Sequence, residues 1–184
     1  MASFYEKSYM HKDIVDNVIS AVDTDFIITT SLDGVLKFWK KNYLGIEFIK
    51  QYKAHSGRIT GVSVSNTSTY LCTCSPKDES LKIYDIINFD MINFIKLTFV
   101  PNVCCFINKN NDPALLIAVS EKESENIHII KGDSKGEILK TLKIHQAQVT
   151  TIKYNLNFNT VISTDLSGMI EYWDPDTYGI FNIT

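Results

Sequence analysis

The chain has 184 residues, of which 45% are hydrophobic and 21% charged, with a formal net charge of −3. That balance suits one folded domain and excludes a disordered chain, because this much apolar surface is enough to drive folding. Arg58 is its single arginine, which argues against a nucleic-acid surface built on forked guanidinium contacts to phosphate. The longest apolar run, residues 114–119, is far short of the ~20 residues needed to cross a bilayer. The opening stretch MASFYEKSYM lacks the apolar segment of a secretory signal. The protein is therefore expected inside the cell, with Cys72, Cys74, Cys104 and Cys105 as free thiols.

Along the chain, short runs rich in Ile, Val, Tyr and Phe suit a pleated, half-buried surface. The joints between them carry Asp33-Gly34, Ser167-Gly168 and Asn-rich stretches, which tolerate turn geometry. A first unit, residues 12–53, is expected to hold strands at 14–22, 26–30, 35–40 and 46–53. A second, 57–98, holds them at 59–64, 70–74, 81–85 and 91–98. A third, 101–144, holds them at 103–108, 115–120, 127–131 and 138–144. A fourth, 147–184, holds them at 149–154, 161–164, 169–173 and 179–184. Ahead of all four, residues 3–9 alternate large with small or charged side chains and read as an outer closing strand. No window sustains a helical period.

The units repeat one another. FIITTSLDGVLKFW at 26–39 returns as YLCTCSPKDESLKIYD at 70–85 and VISTDLSGMIEYWD at 161–174, with a weaker copy over 115–131. The residues ending the third strand of each unit, Trp39, Tyr84, Ile130 and Trp173, stand 45, 46 and 43 positions apart. A period of ~40–45 residues with four short strands is the sequence mark of a β-propeller blade. Here the pattern resembles the WD-repeat family, which places a His before the first strand, an Asp in the turn before the third and a Trp at its end. His11, Asp33 and Trp39 match in the first repeat, and His55, Asp78 and Tyr84 in the second. In the fourth, His145 and Trp173 match, with Ser167 in the place of the Asp. The third repeat has no matching His and carries Ile130 in the Trp place. The spacing from His to the turn residue is 22, 23 and 22. The expected fold is all-β: four four-stranded blades of a WD-repeat propeller, part of a ring that in this family commonly closes with seven.

Longer strings narrow the resemblance. YEKSYMH at 5–11, DGVLKFWKK at 33–41, GIEF at 45–48, NFDMIN at 88–93 and SGMIEYW at 167–173 resemble the propeller of WD-repeat-containing cyclophilins. The resemblance spans residues 4–174. It implies a nuclear, spliceosome-associated protein whose propeller precedes a peptidyl-prolyl isomerase domain. The Phe-His-Arg stretch of a cyclophilin active site has no counterpart here, so the isomerase activity falls on no residue of this chain. The resemblance implies a non-catalytic scaffold that presents loops and rims to proteins of a larger assembly, by resemblance the spliceosome.

Three other chemistries fit the residues less well. Recurring His, Asp and Ser invite a hydrolase reading, but a triad needs one nucleophile exposed in a cleft, whereas a set repeated in every blade behaves as scaffolding. His11, Asp33 and Trp39 are thus expected to form a buried hydrogen-bonded set with no open pocket beside it. Cys72 and Cys74 share a face, Cys104 and Cys105 point oppositely, and their spacing fits a zinc site poorly; no metal or cofactor is expected. Lys37, Lys40 and Lys41, with Lys50 and Lys53 nearby, are the only hint of an RNA platform, and the negative net charge argues against direct RNA contact. The run 121–125 reads as a solvated acidic loop. A half-ring exposes apolar flanks and strand edges. Further propeller blades or a second copy of the chain are therefore expected to complete it.

Overall fold

The structure is a computed structural model and describes residues 10–109 and 112–181. The expected closing strand at 3–9 and the end of the last strand, 182–184, lie outside the described residues. Each repeat folds into one antiparallel sheet in which neighbours in sequence are neighbours in space. The first sheet is β1 (Val15–Ser20), β2 (Phe26–Ser31), β3 (Val35–Asn42) and β4 (Gly45–Lys53). The second is β5 (Gly61–Val64), β6 (Tyr70–Ser75), β7 (Ser80–Asp85) and β8 (Asp90–Lys96). The third is β9 (Pro101–Lys109), β10 (Asp112–Glu121), β11 (Ile127–Lys131) and β12 (Ile138–Leu142). Among the described residues the fourth holds three strands, β13 (Val149–Asn155), β14 (Thr160–Asp165) and β15 (Ile170–Trp173). After them Ile180 bridges Trp173 and the Phe181 N–H donates to the Tyr172 carbonyl at 2.8 Å. No helix among the described residues is long and apolar enough to cross a membrane.

Side chains alternate across each strand, so every sheet has two faces, and the blades pack face to face. Ile28, Leu36 and Phe38 of the first meet Leu71, Tyr84 and Ile86 of the second. Cys72, Leu81 and Ile83 of the second meet Cys104, Phe106, Ile117 and Ile130 of the third. Leu116, Ala118 and Ile129 of the third meet Val149, Val161 and Trp173 of the fourth. The adjacent Cys104 and Cys105 therefore enter different cores, and both are buried.

One cross-strand pair in each blade faces the next blade: Ile28 with Phe38, Cys72 with Ile83, and Ala118 with Ile129. All six are completely buried. The same pair in the fourth blade, Ile162 with Tyr172, is only partly covered and lines an open groove with Phe158 and Phe181. On the far side of the first blade, Phe48 is 49% and Val18 70% exposed. The sequence that buries three interfaces thus leaves a flank at either end.

Candidate functional site

The histidine sets of the second, third and fourth blades lie between blades, and that of the first lies on its outer face. In the second blade the His55 Nδ1–H donates to both Asp78 oxygens, at 2.9 and 3.1 Å. A carboxylate can only accept, so this fixes the tautomer, and Nε2 accepts from the Thr73 hydroxyl at 2.9 Å. Ser80 and the Ser56 N–H also donate to Asp78, at 2.9 and 3.2 Å. Burial pushes the His55 pKa down and keeps the ring neutral, against the opposing pull of Asp78. Burial pushes Asp78 up, but its bonds from His55 and Ser80 outweigh this and leave it below the usual carboxylate range. Tyr84 stands where other repeats have Trp. Its buried hydroxyl finds no hydrogen-bond partner among the described residues, and burial pushes its pKa up. The chain of bonds therefore stops at Thr73.

In the fourth blade the chain is complete. The Trp173 Nε1–H donates to Ser163 Oγ at 3.1 Å, and that hydroxyl donates to His145 Nε2 at 2.7 Å. The His145 Nδ1–H then reaches an acid at 3.3 Å, but the acid is Asp165. Ser167, the residue in the turn-Asp place, instead donates its hydroxyl to Asp165 at 2.6 Å. Its own N–H and that of Met169 reach the same carboxylate oxygen. The Ser167 hydroxyl, followed by these N–H groups, holds the Asp165 carboxyl well below its ordinary value despite burial. The first blade has the mirror arrangement: Ser31 at the strand end donates to Asp33 in the turn at 2.5 Å. Serine and acid have exchanged places across one turn.

The first blade departs from expectation. The Trp39 Nε1–H donates to Thr29 Oγ1 at 2.8 Å, and Thr29 in turn meets His11 Nε2 at 2.7 Å. Asp33 is not the partner of His11, whose buried Nδ1 is unpaired among the described residues. The Asp33 carboxylate is already occupied by Ser31 and by the Val35 N–H at 3.3 Å. The Ser31 bond, more than any other contact, holds its pKa low. A shallow cleft with His11, Asp33, Lys37 and Lys53 in its walls lies beside the set, so the expected absence of a pocket fails there.

The third blade, which lacks a loop His, builds a substitute. Val119, two residues before the end of β10, stands where the other repeats place Thr29, Thr73 and Ser163. Across from it is His128. This ring packs on Phe99 at 4.2 Å between centroids and bonds the Thr141 hydroxyl through Nδ1 at 2.9 Å. Its Nε2 lies 3.5 Å from Glu121, the strand-end residue that corresponds to Ser31, Ser75 and Asp165. Burial lowers the His128 pKa against the pull of Glu121. A histidine has moved from the loop to the third strand, while its acid comes from the end of the second.

Among the described residues these sets hold no exposed nucleophile. The hydroxyls of Thr29, Thr73 and Ser163 are buried beneath indole or phenol rings, and a nucleophile must be reachable. Among the described residues no group of three or more His, Cys, Asp or Glu could hold a metal. The lysine cluster is largely committed within the chain. Lys37 donates to the Met10 carbonyl at 2.6 Å and lies over the Trp39 and Phe48 rings. Lys50 pairs with Asp90 at 2.8 Å, and Lys53 donates to the Asp33 carbonyl.

Residues 46–85 and 136–174 match the family model described as WD domain, G-beta repeat. Over 176 residues, 95% of the chain, it is 50% identical to peptidyl-prolyl cis-trans isomerase cyp15 of Rhizopus delemar. It is 42% identical over 173 residues, 94% of the chain, to the human peptidylprolyl isomerase domain and WD repeat-containing protein 1. It is also 42% identical over 178 residues, 96% of the chain, to peptidyl-prolyl cis-trans isomerase CYP71 of Arabidopsis thaliana. The chain spans only 28%, 26% and 28% of the length of these three relatives. With its four antiparallel sheets and its repeated His, hydroxyl and Trp positions, the chain belongs to the WD-repeat family, as a stretch of β-propeller blades.

Proposed function

We propose that this chain is the non-catalytic, protein-binding scaffold of a nuclear, spliceosome-associated peptidyl-prolyl isomerase whose catalytic domain lies elsewhere in the protein. The observation that carries this reading is the closure of the His55, His128 and His145 sets into blade interfaces, where they stabilise packing and offer no reactive group to solvent. What the molecule offers instead is surface. Val22, Tyr43, Leu44 and Phe158 project from the turns between strands, with Tyr43 and Leu44 fully exposed at the tip of the β3–β4 hairpin. Exposed aromatic and aliphatic anchors on rigid sheets are what a protein partner buries. In this reading, blades at 12–53, 57–98, 101–144 and 147–184 form one domain, and the two flanks meet further blades of the same protein.

Two measurements test the proposal. The pure 184-residue chain is expected to leave cis–trans exchange of a proline peptide at its uncatalysed rate, since no pocket among the described residues gathers groups arranged to lower a barrier of ~18–20 kcal/mol. Acceleration blocked by a cyclophilin inhibitor would refute it. Binding to single-stranded RNA that falls steeply with salt would favour an RNA platform instead.

A further inference from the structure

The interface between the second and third blades is closer than any side chain at position 61 would permit. A Cβ on Gly61 would lie 2.5 Å from the Cys104 backbone nitrogen, 2.6 Å from Cys74 Sγ and 2.9 Å from Val103 Cα. The bare glycine lets β9 press against β5 and β6, and this brings thiols of two blades together. Cys72 Sγ lies 3.6 Å from Cys104 Sγ. Cys74, two residues along β6 on the same face, reaches the Asn102 carbonyl at 3.7 Å. The surroundings are Leu81, Ile83, Phe106 and Val119, which make no polar demand on the sulfurs.

We propose that Cys72 and Cys104 are an oxidation site, closing into a disulfide between the two blades in the presence of hydrogen peroxide. The sulfurs must approach by about 1.5 Å to reach bonding distance. Burial pushes both thiols up, so the thiolate that starts the reaction, written here on Cys72, forms during local opening of the interface. That thiolate attacks one peroxide oxygen. The O–O bond breaks, one water leaves after proton uptake, and Cys72 becomes a sulfenic acid. The Cys104 sulfur then attacks the Cys72 sulfur, the S–OH bond breaks and a second water leaves. The protein loses two electrons and two protons, and one peroxide becomes two waters. A small oxidant suits so enclosed a pair, and thiol reductants reverse the bond. Once closed, the bond ties blade to blade without passing through the backbone.

Peptide mapping without reduction tests this on the full chain, treated folded with hydrogen peroxide and then alkylated in denaturant. Cys72 and Cys104 are expected to be recovered linked, with Cys105 alkylated. The thermal midpoint is expected to rise on treatment and to return with dithiothreitol. Cys104→Ala is expected to abolish the link and the rise, and Cys105→Ala to leave both intact. If Cys104→Ala does not fold, mapping of the unsubstituted protein still decides. Recovery of Cys72 and Cys104 as alkylated thiols or as separate sulfinic acids, or preferential linkage in any other pair, overturns the proposal.

Discussion

Replacing Trp173 by alanine is expected to lower stability by about 3–5 kcal/mol, the range for truncating a large buried side chain. Trp173 is fully buried among Val149, Ile152 and Val161 of its own blade and residues of the third. Its indole N–H also holds Ser163, and through it His145. The substitution opens a cavity and removes a donor from a buried chain, and both effects act in the same direction. Trp39→Ala belongs at the lower end of the range, because the outer face of the first blade is open and Trp39 retains some exposure. Urea midpoints of the two variants, read at unchanged slope, check the order. Equal losses would mean that the outer flank of the first blade is covered as fully as an interior interface.

Gly34→Ala is the second large effect. Gly34 has φ of 80°, and a non-glycine residue in that region costs about 1–3 kcal/mol. An added Cβ would also lie 2.4 Å from the Gly57 carbonyl oxygen and 2.5 Å from that of His55. Those are backbone atoms of the neighbouring blade that cannot swing aside, and overpacking of this kind adds about 1–3 kcal/mol. Gly168 occupies the same turn of the fourth blade with φ of 87°, but nothing lies within 4 Å of its would-be Cβ. Gly168→Ala is therefore expected to carry the backbone strain alone. Denaturation of both variants as the 184-residue chain measures the difference, and a loss at Gly168 as large as at Gly34 would contradict this account of the turn.

Much of this was legible in the sequence for one reason. The period-two alternation of Ile28, Cys72, Ala118 and Ile162 against Thr29, Thr73, Val119 and Ser163 fixes which face meets the next blade, and the spacing of Trp39, Tyr84, Ile130 and Trp173 fixes the register. The polar sets were less legible because hydrogen bonds can be met from several positions. Ser167 aligns with Asp33 by its place before a glycine, yet the carboxylate of Asp165 reaches His145 equally well from two residues earlier. Reading Asp-x-Ser-Gly as the exchange of Ser-x-Asp-Gly would have found it. His128 was hidden more deeply, because the repeat pattern looks for histidine in the connecting loop. The pairing of Asp33 with its own turn, leaving His11 to Thr29, is a choice of partner that no spacing encodes.

The account rests on the two open flanks, Phe48 and Val18 on the first blade and Ile162, Tyr172 and Phe181 on the fourth, being surfaces meant for burial. Sedimentation velocity of the pure 184-residue chain over a range of concentrations tests this most directly. Exposed apolar faces and unpaired strand edges of this kind drive association, so the account predicts a sedimentation coefficient that rises with concentration as copies pair through their flanks. A compact monomer, stable and unchanged with concentration, would contradict it.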